Sequence, residues 1–161
     1  FYTISSPDVD GEFEMTVGID PDGEVAPHLA ELDAGDAVRI EGPFGSDYYE
    51  GEARAVLLAG GPGIGPAIGI AERAIAEGNT AAVVYQDDAP IHEDRLDALE
   101  AEGVAVHVLA SDADLTDAVA DVTGEGGQVF VYGFADFLDD ATAALEAAGV
   151  DTDDAKVENF G

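Results

Sequence analysis

The sequence predicts an α/β protein in two parts: a five-stranded, parallel, doubly wound domain preceded by part of an antiparallel β-barrel. Three observations carry this expectation. Beyond Arg54, short apolar runs alternate with amphipathic stretches, the signature of a parallel sheet covered by helices on both faces. The stretch LLAGGPGIGPAIGIAERA, residues 57–74, runs from an apolar strand through glycines into a helix. Residues 1–52 lack that alternation and read as separate strands joined by turns.

The elements follow in order. Residues 55–59 are a buried strand. Residues 64–77 form a helix with Ile64, Ala67, Ile68, Ala71 and Ile75 on one face and Glu72, Arg73 and Glu77 opposite; Gly78-Asn79 stops it. TAAVVYQ is a second strand, residues 94–102 a helix ending at Gly103, and VAVHVLA a third strand in which His107 reads as a strand residue. A weaker helix at 115–122 leads into the strand QVFVYG. Residues 136–148 form a helix with Phe137, Leu138, Ala141, Leu145 and Ala148 inward, and AKVENF closes the sheet.

In the first part, FYTISS, EFEMTVGI and DAVRIEG are expected strands. Asp10-Gly11 and Pro21-Asp22-Gly23 mark turns, and a short helix is expected at 27–32. Three strands are few for an independent sheet domain, so residues 1–52 read as a piece of a barrel and 53–161 as the second domain.

Charge sets the bulk character. The 161 residues hold 36 acidic side chains against five basic ones, a net charge of −31, while 47% of residues are hydrophobic. Nucleic acid and anionic membranes are excluded as partners by repulsion. The acids are scattered as a coat rather than gathered in a tail. That pattern reads as adaptation to concentrated salt, with a basic protein partner as the other reading. Cysteine is absent, which removes disulfides, thiol catalysis and Cys-ligated clusters from this chain. The three histidines have no metal-ligand spacing, so no metal is expected. Residues 55–71 carry no charge, but their glycines and prolines break them below the about 20 apolar residues of a membrane span. No signal peptide is visible, and the expected location is cytoplasmic.

The glycine-rich turn carries the first functional signal. Gly61 and Gly63 allow a tight turn and close backbone approach to a pyrophosphate, which the N–H groups at a helix start favour. The usual G-x-G-x-x-G/A pattern has a small residue where Pro66 stands. A proline in the first helical turn forfeits no hydrogen bond, so the cradle survives it. The competing reading is a glycine-rich connection needed only for strand–helix packing. Asp87 and Asp88 end the second strand, where an acid suits a free ribose diol and an arginine would suit a 2′-phosphate; Ser111-Asp112 ends the third with the same sign. NADH is therefore expected over NADPH.

Four landmarks in one order resemble the flavin-and-nicotinamide reductases of the ferredoxin–NADP reductase type. FYTISS is similar to the family's R-x-Y-S/T-x-x-S, and GEVAPHLAELDAGDAVRIEGPFG to its G-x-V-S…GD-x-V-x-I-x-GPFG. GGPGIGP matches G-G-x-G-I-x-P, and VYGFADF…VENFG resembles its strand-CGP-x-x-M and terminal E-x-F-G. The resemblance covers essentially the whole chain but lacks the family's beginning, including an arginine just before Phe1.

The resemblance implies FAD, with Tyr2 along the isoalloxazine and Thr3 near its reactive edge. Its pyrophosphate would lie at Val17, Gly18 and Ile19 and at the helix start after Gly23, near Val25 and Ala26, where alanine replaces the family's hydroxyl residue. It places the nicotinamide nucleotide at Gly61, Pro62, Gly63, Ile64 and Pro66, and at Tyr132-Gly133-Phe134, where the family often has Cys-Gly-Pro. Glu158 falls at the family's carboxylate near the flavin. The expected activity is that of an FAD-dependent NAD(P)H oxidoreductase passing hydride from NADH to FAD and electrons on to an acceptor protein or quinone-like molecule. The alternatives are a flavin-free nucleotide-binding or sensing module and an electron-transfer subunit of a larger complex.

Overall fold

A computed structural model describes residues 2–45 and 47–161; Phe1, which begins the first expected strand, and Ser46 lie outside the described residues. Strand β1 (Thr3–Ile4) pairs antiparallel with β2 (Met15–Thr16), and helix α1 (Ala26–Ala30) follows. The second part runs β3 (Arg54–Gly60), a 3₁₀ turn (Gly61–Gly63), α2 (Ile64–Ala76), β4 (Thr80–Gln86), α3 (Glu93–Ala101) and β5 (Ala105–Leu109). It continues with α4 (Thr116–Thr123), β6 (Gln128–Gly133), α5 (Ala135–Ala147) and β7 (Lys156–Asn159).

The five strands β3–β7 form one parallel sheet in the order β5-β4-β3-β6-β7. The chain steps outward from β3 to β4 and β5, then crosses back past β3 to β6 and β7, so the strand order reverses between β3 and β6. Central strands alternate between two cores because successive side chains face opposite sides. Leu57, Ala59, Val83, Tyr85, Phe130 and Tyr132 pack with α2 and α3. Val56, Leu58, Val84, Val129 and Val131 pack with α4 and α5 through Val119, Val122, Ala141 and Leu145. His107 is a strand residue of β5, with Nε2 2.8 Å from an Asp121 carboxylate oxygen. No helix among the described residues is long and apolar enough to cross a membrane, and no cluster there could hold a metal ion.

The first part departs from the sequence expectation. DAVRIEG forms no strand: residues 36–42 are exposed and irregular, with Val38 and Ile40 each about half exposed. EFEMTVGI is reduced to the two paired residues of β2. The physical reason is that strands exist only as pairs, and among the described residues no strand pairs with 36–42.

Candidate functional site

The crevice at the carboxyl ends of β3 and β6, where the sheet reverses, is where open α/β sheets bind ligands. From β3 the chain enters the Gly61–Gly63 turn, in which Gly61 adopts a left-handed φ of 55°. Ile64 then opens α2, and Pro66 sits buried in its first turn. Gly63 has an ordinary helical φ of −59°. Its missing side chain instead admits β6, since a Cβ there would stand 2.1 Å from the Tyr132 carbonyl oxygen. The structure thus gives Gly63 a packing role that the motif alone leaves open. Gly133 is similar: a Cβ there would lie 2.6 Å from the Phe137 ring, so its small size serves the seat of α5.

The charge pattern around this crevice is informative. Helices α3, α4 and α5 all carry acids in their first turns (Glu93 and Asp94, Asp117, Asp136), as the helix dipole favours. The first turn of α2 carries none, in a chain with 36 acidic residues. A turn with glycine at both ends, leading into a helix start without carboxylates, fits the phosphates of a nucleotide.

The two aspartates after β4 have different surroundings. Asp87 accepts hydrogen bonds from the Tyr85 hydroxyl at 3.3 Å and the Ala89 N–H at 2.8 Å. It also faces the Gly61 turn, a Cβ at Gly61 falling 3.9 Å from its Oδ2. Burial, with Asp87 nearby, pushes the Tyr85 phenol up to about 12, so it remains a donor to that carboxylate. Asp88 accepts the Ser111 N–H at 2.9 Å and ties the loop after β4 to the loop after β5.

On the other side of β3, Tyr132 is buried and donates its hydroxyl to the Asp47 carbonyl at 2.8 Å. Burial above all holds its phenol far above its ordinary pKa, with Glu158 adding to the shift. Glu158 lies opposite Tyr132 in the β6–β7 register; partial burial and the Asp47 charge raise its own carboxyl. Phe134 is half exposed and meets Phe160 edge-on at 6.2 Å, while Phe160 N–H donates to the Gly133 carbonyl. Tyr132, Gly133, Phe134 and Glu158 are therefore one group at the ends of β6 and β7.

The first-part residues reach the same region through the hairpin. Thr3 pairs with Thr16, and Tyr2 and Val17 are their chain neighbours at that end of the hairpin. Gly18 lies against Pro62, 3.5 Å from the position of a Cβ, so the 17–19 segment abuts the glycine-rich turn. Tyr2 and Ile19 are exposed. Gly23 donates its N–H to the Asp20 carbonyl, and Val25 caps α1 with its carbonyl while Ala26 is buried. That group forms a local turn of its own.

Sequence reasoning missed the junction between the two parts. Ser5, Glu14 and Thr16 from the hairpin meet Gly65, Gly69 and Glu72 of α2 and His92 and Arg95 at the start of α3. The available signals were the Gly65-x-x-x-Gly69 spacing and an arginine in a chain so poor in cations.

Comparison with known proteins agrees with this geometry. Residues 1–49 match the family model described as the oxidoreductase FAD-binding domain. The chain is 40% identical over 82 residues to NADH–cytochrome b5 reductase 1 of Arabidopsis thaliana, covering 49% of this chain and 29% of that protein. It is 39% identical over 64 residues to a probable dihydroorotate dehydrogenase B (NAD(+)) electron transfer subunit of Methanopyrus kandleri, covering 40% and 24%. Among solved structures, the flavohem-like FAD/NAD-binding domain of nitric oxide dioxygenase from Vibrio cholerae superposes with a TM-score of 0.77 at 19% identity. That match covers 99% of this chain and 76% of that one. A flavohemoglobin from Malassezia yamatoensis with bound FAD and heme gives 0.70 at 18%, over 99% and 50%. Residues 1–49 are thus similar to an oxidoreductase FAD-binding domain, and the chain shares its fold with the FAD/NAD-binding domains of these solved structures. The aligned segments of the two curated relatives amount to 29% or less of those proteins.

Proposed function

We propose that this chain carries the nicotinamide-binding part and a portion of the flavin-binding part of an FAD-dependent NADH oxidoreductase. The observation that carries the reading is the Gly61-Pro62-Gly63 turn leading into α2, the one long helix among the described residues with no acid in its first turn. Its N–H groups hold the nucleotide phosphates, and Asp87 beside Gly61 accepts from the ribose diol and repels a 2′-phosphate. Phe134 and the Gly133 backbone bound the nicotinamide end of the crevice. Tyr2, Thr3 and the 17–19 segment approach it from the hairpin and fit the flavin.

Bound FAD supplies hydride acceptance and the release of electrons singly or in pairs. The residues of this chain supply orientation. Glu158, next to Tyr132 across β6 and β7, is the carboxylate this reading assigns to the flavin side, its carboxyl raised by partial burial and the Asp47 charge. The acceptor is a protein or quinone-like molecule, and the acidic coat suits work in concentrated salt in the cytoplasm. The relative described as an electron transfer subunit favours a second reading, in which the acceptor is a partner subunit.

An anaerobic titration tests the proposal. Purified protein reconstituted with FAD should show a flavin band near about 450 nm that NADH bleaches. NADH binding without any flavin uptake would overturn it in favour of a flavin-free nucleotide module.

A further inference from the structure

Arg95 joins three elements. Its Nε and Nη2 grip both carboxylate oxygens of Glu72 on α2, at 2.8 and 2.7 Å. Its Nη1 reaches Glu14 at 2.8 Å and its Nη2 the Ser5 carbonyl at 2.7 Å, both on the hairpin. Ser5 is fully buried and donates its hydroxyl to the same Glu14 oxygen at 3.0 Å. Three residues before Arg95, His92 Nε2 lies 2.8 Å from the hydroxyl oxygen of buried Thr16.

The hairpin fits against α2 because two glycines make room for it. A Cβ at Gly65 would come 2.8 Å from that of Thr16, and one at Gly69 would come 3.0 Å from the Ser5 and Ser6 carbonyl oxygens. Shape alone therefore brings two carboxylates, Glu14 and Glu72, and a carbonyl oxygen to one place. Arg95 supplies the positive charge between them, and its planar fork matches Glu72 bidentately. Without it, like charges would face each other across a joint between the two parts of the chain.

The joint bears on the chemistry because of what each side carries. Tyr2 and Thr3 lie at one end of the hairpin, next to Thr16, while Gly65 and the phosphate-binding turn lie at the start of α2. We propose that Arg95 is a positioning residue for hydride transfer: by clamping the hairpin to α2 it fixes the flavin-contacting residues against the nicotinamide crevice. This rests on the function proposed above. Reacting atoms must be held at about 3–3.5 Å, and a misplacement of about 1 Å costs on the order of a hundredfold in rate.

The test uses the full chain reconstituted with FAD, comparing the parent with Arg95→Met, Arg95→Lys and Glu14→Gln. At saturating NADH, stopped-flow flavin reduction should slow about tenfold or more in Arg95→Met, with a smaller loss in Glu14→Gln, which keeps the Arg95–Glu72 pair. Arg95→Lys should fall between them, since it restores charge but not the fork. NADH affinity should stay within about twofold, because no variant touches the nucleotide crevice. Unchanged reduction rates at saturating NADH in Arg95→Met and Glu14→Gln would overturn the proposal. Amide hydrogen exchange separates this from failure of the functional reading. Residues 3–17 should exchange faster in Arg95→Met while β3 and β4 are unaffected, and equal exchange overturns the clamp whether or not NADH reduces the parent protein.

Discussion

Gly63 and Tyr132 meet backbone to backbone: a Cβ on Gly63 would stand 2.1 Å from the Tyr132 carbonyl oxygen. Helix α2 can therefore start directly over β6, bringing the glycine-rich turn to the reversal point of the sheet. Gly63→Ala should force α2 and β6 apart and lower the melting temperature, with a cost of about 1–3 kcal/mol or more from overpacking. Gly61→Ala meets only the Asp87 carboxylate, at ordinary contact distance, but must hold a left-handed φ, at about 1–2 kcal/mol. Thermal melts of both variants check the order, and an unchanged melting temperature for Gly63→Ala would remove the packing role.

The second part of the fold was legible in the sequence, and the first part less so. Periodicity in residues 54–159 is local, and each apolar run there, from Val56 to Val131, finds a neighbouring strand. Val38 and Ile40 show the same strand-like alternation, yet pairing is non-local and no pairing partner stands beside them among the described residues. The crevice was readable because its glycines and aspartates follow strands directly. The Arg95 joint was not, since Arg95 and Glu14 lie 81 positions apart and each alone reads as a surface charge.

Asp87 and Asp88 should separate under mutation. Asp87 faces the Gly61 turn, so Asp87→Arg replaces repulsion of a 2′-phosphate by attraction and should move the NADPH/NADH ratio of kcat/KM upward. A charge interaction of about 1 kcal/mol at contact distance in water makes this a change of roughly fivefold for each unit of charge. Asp88→Asn should leave the ratio unchanged and slightly lower the melting temperature by loosening the bond to Ser111. A parent protein that already prefers NADPH would refute the assignment of Asp87.

His92 gives the joint a pH dependence with a definite sign. Burial, and then the Arg95 charge, hold its pKa below the ordinary histidine value near about 6.5. A depressed pKa means the neutral ring favours the folded state. Its contribution is therefore present above about pH 6.5 and is lost as pH falls through the lower folded value. Most carboxylates titrate below that window. His92→Asn tolerates the left-handed φ of 60° at this position and removes the titrating ring. The melting-temperature gap between parent and variant should shrink from pH 7.5 to 5. A constant gap would show that the ring's ionisation does not matter to the joint.

Salt should stabilise the fold, although it weakens every ion pair in it. Arg54 pairs with Glu125, Arg73 with Glu77, Arg95 with Glu14 and Glu72, and Lys156 with Glu50 and Glu52. The exposed pairs among them contribute only about 0–1 kcal/mol each, and the partly buried ones centre on just two cations, Arg95 and Lys156. Against them stand 36 acidic residues and a net charge of −31, so repulsion between unpaired carboxylates far outnumbers the attractions that screening removes. The Debye length falls from about 30 Å at 0.01 M to about 3 Å at 1 M, first cutting off long-range repulsion across the molecule and then repulsion between neighbours. The melting temperature should therefore rise continuously with KCl over that range. Because screening depends on ionic strength, potassium chloride and sulfate at equal ionic strength should give nearly the same rise in the dilute regime, before the general stabilising effect of sulfate sets in. A melting temperature that is flat or falls between 0.01 and 1 M KCl would show that the acidic coat is not under repulsive load. The salt-adapted reading of the composition would then have to be given up.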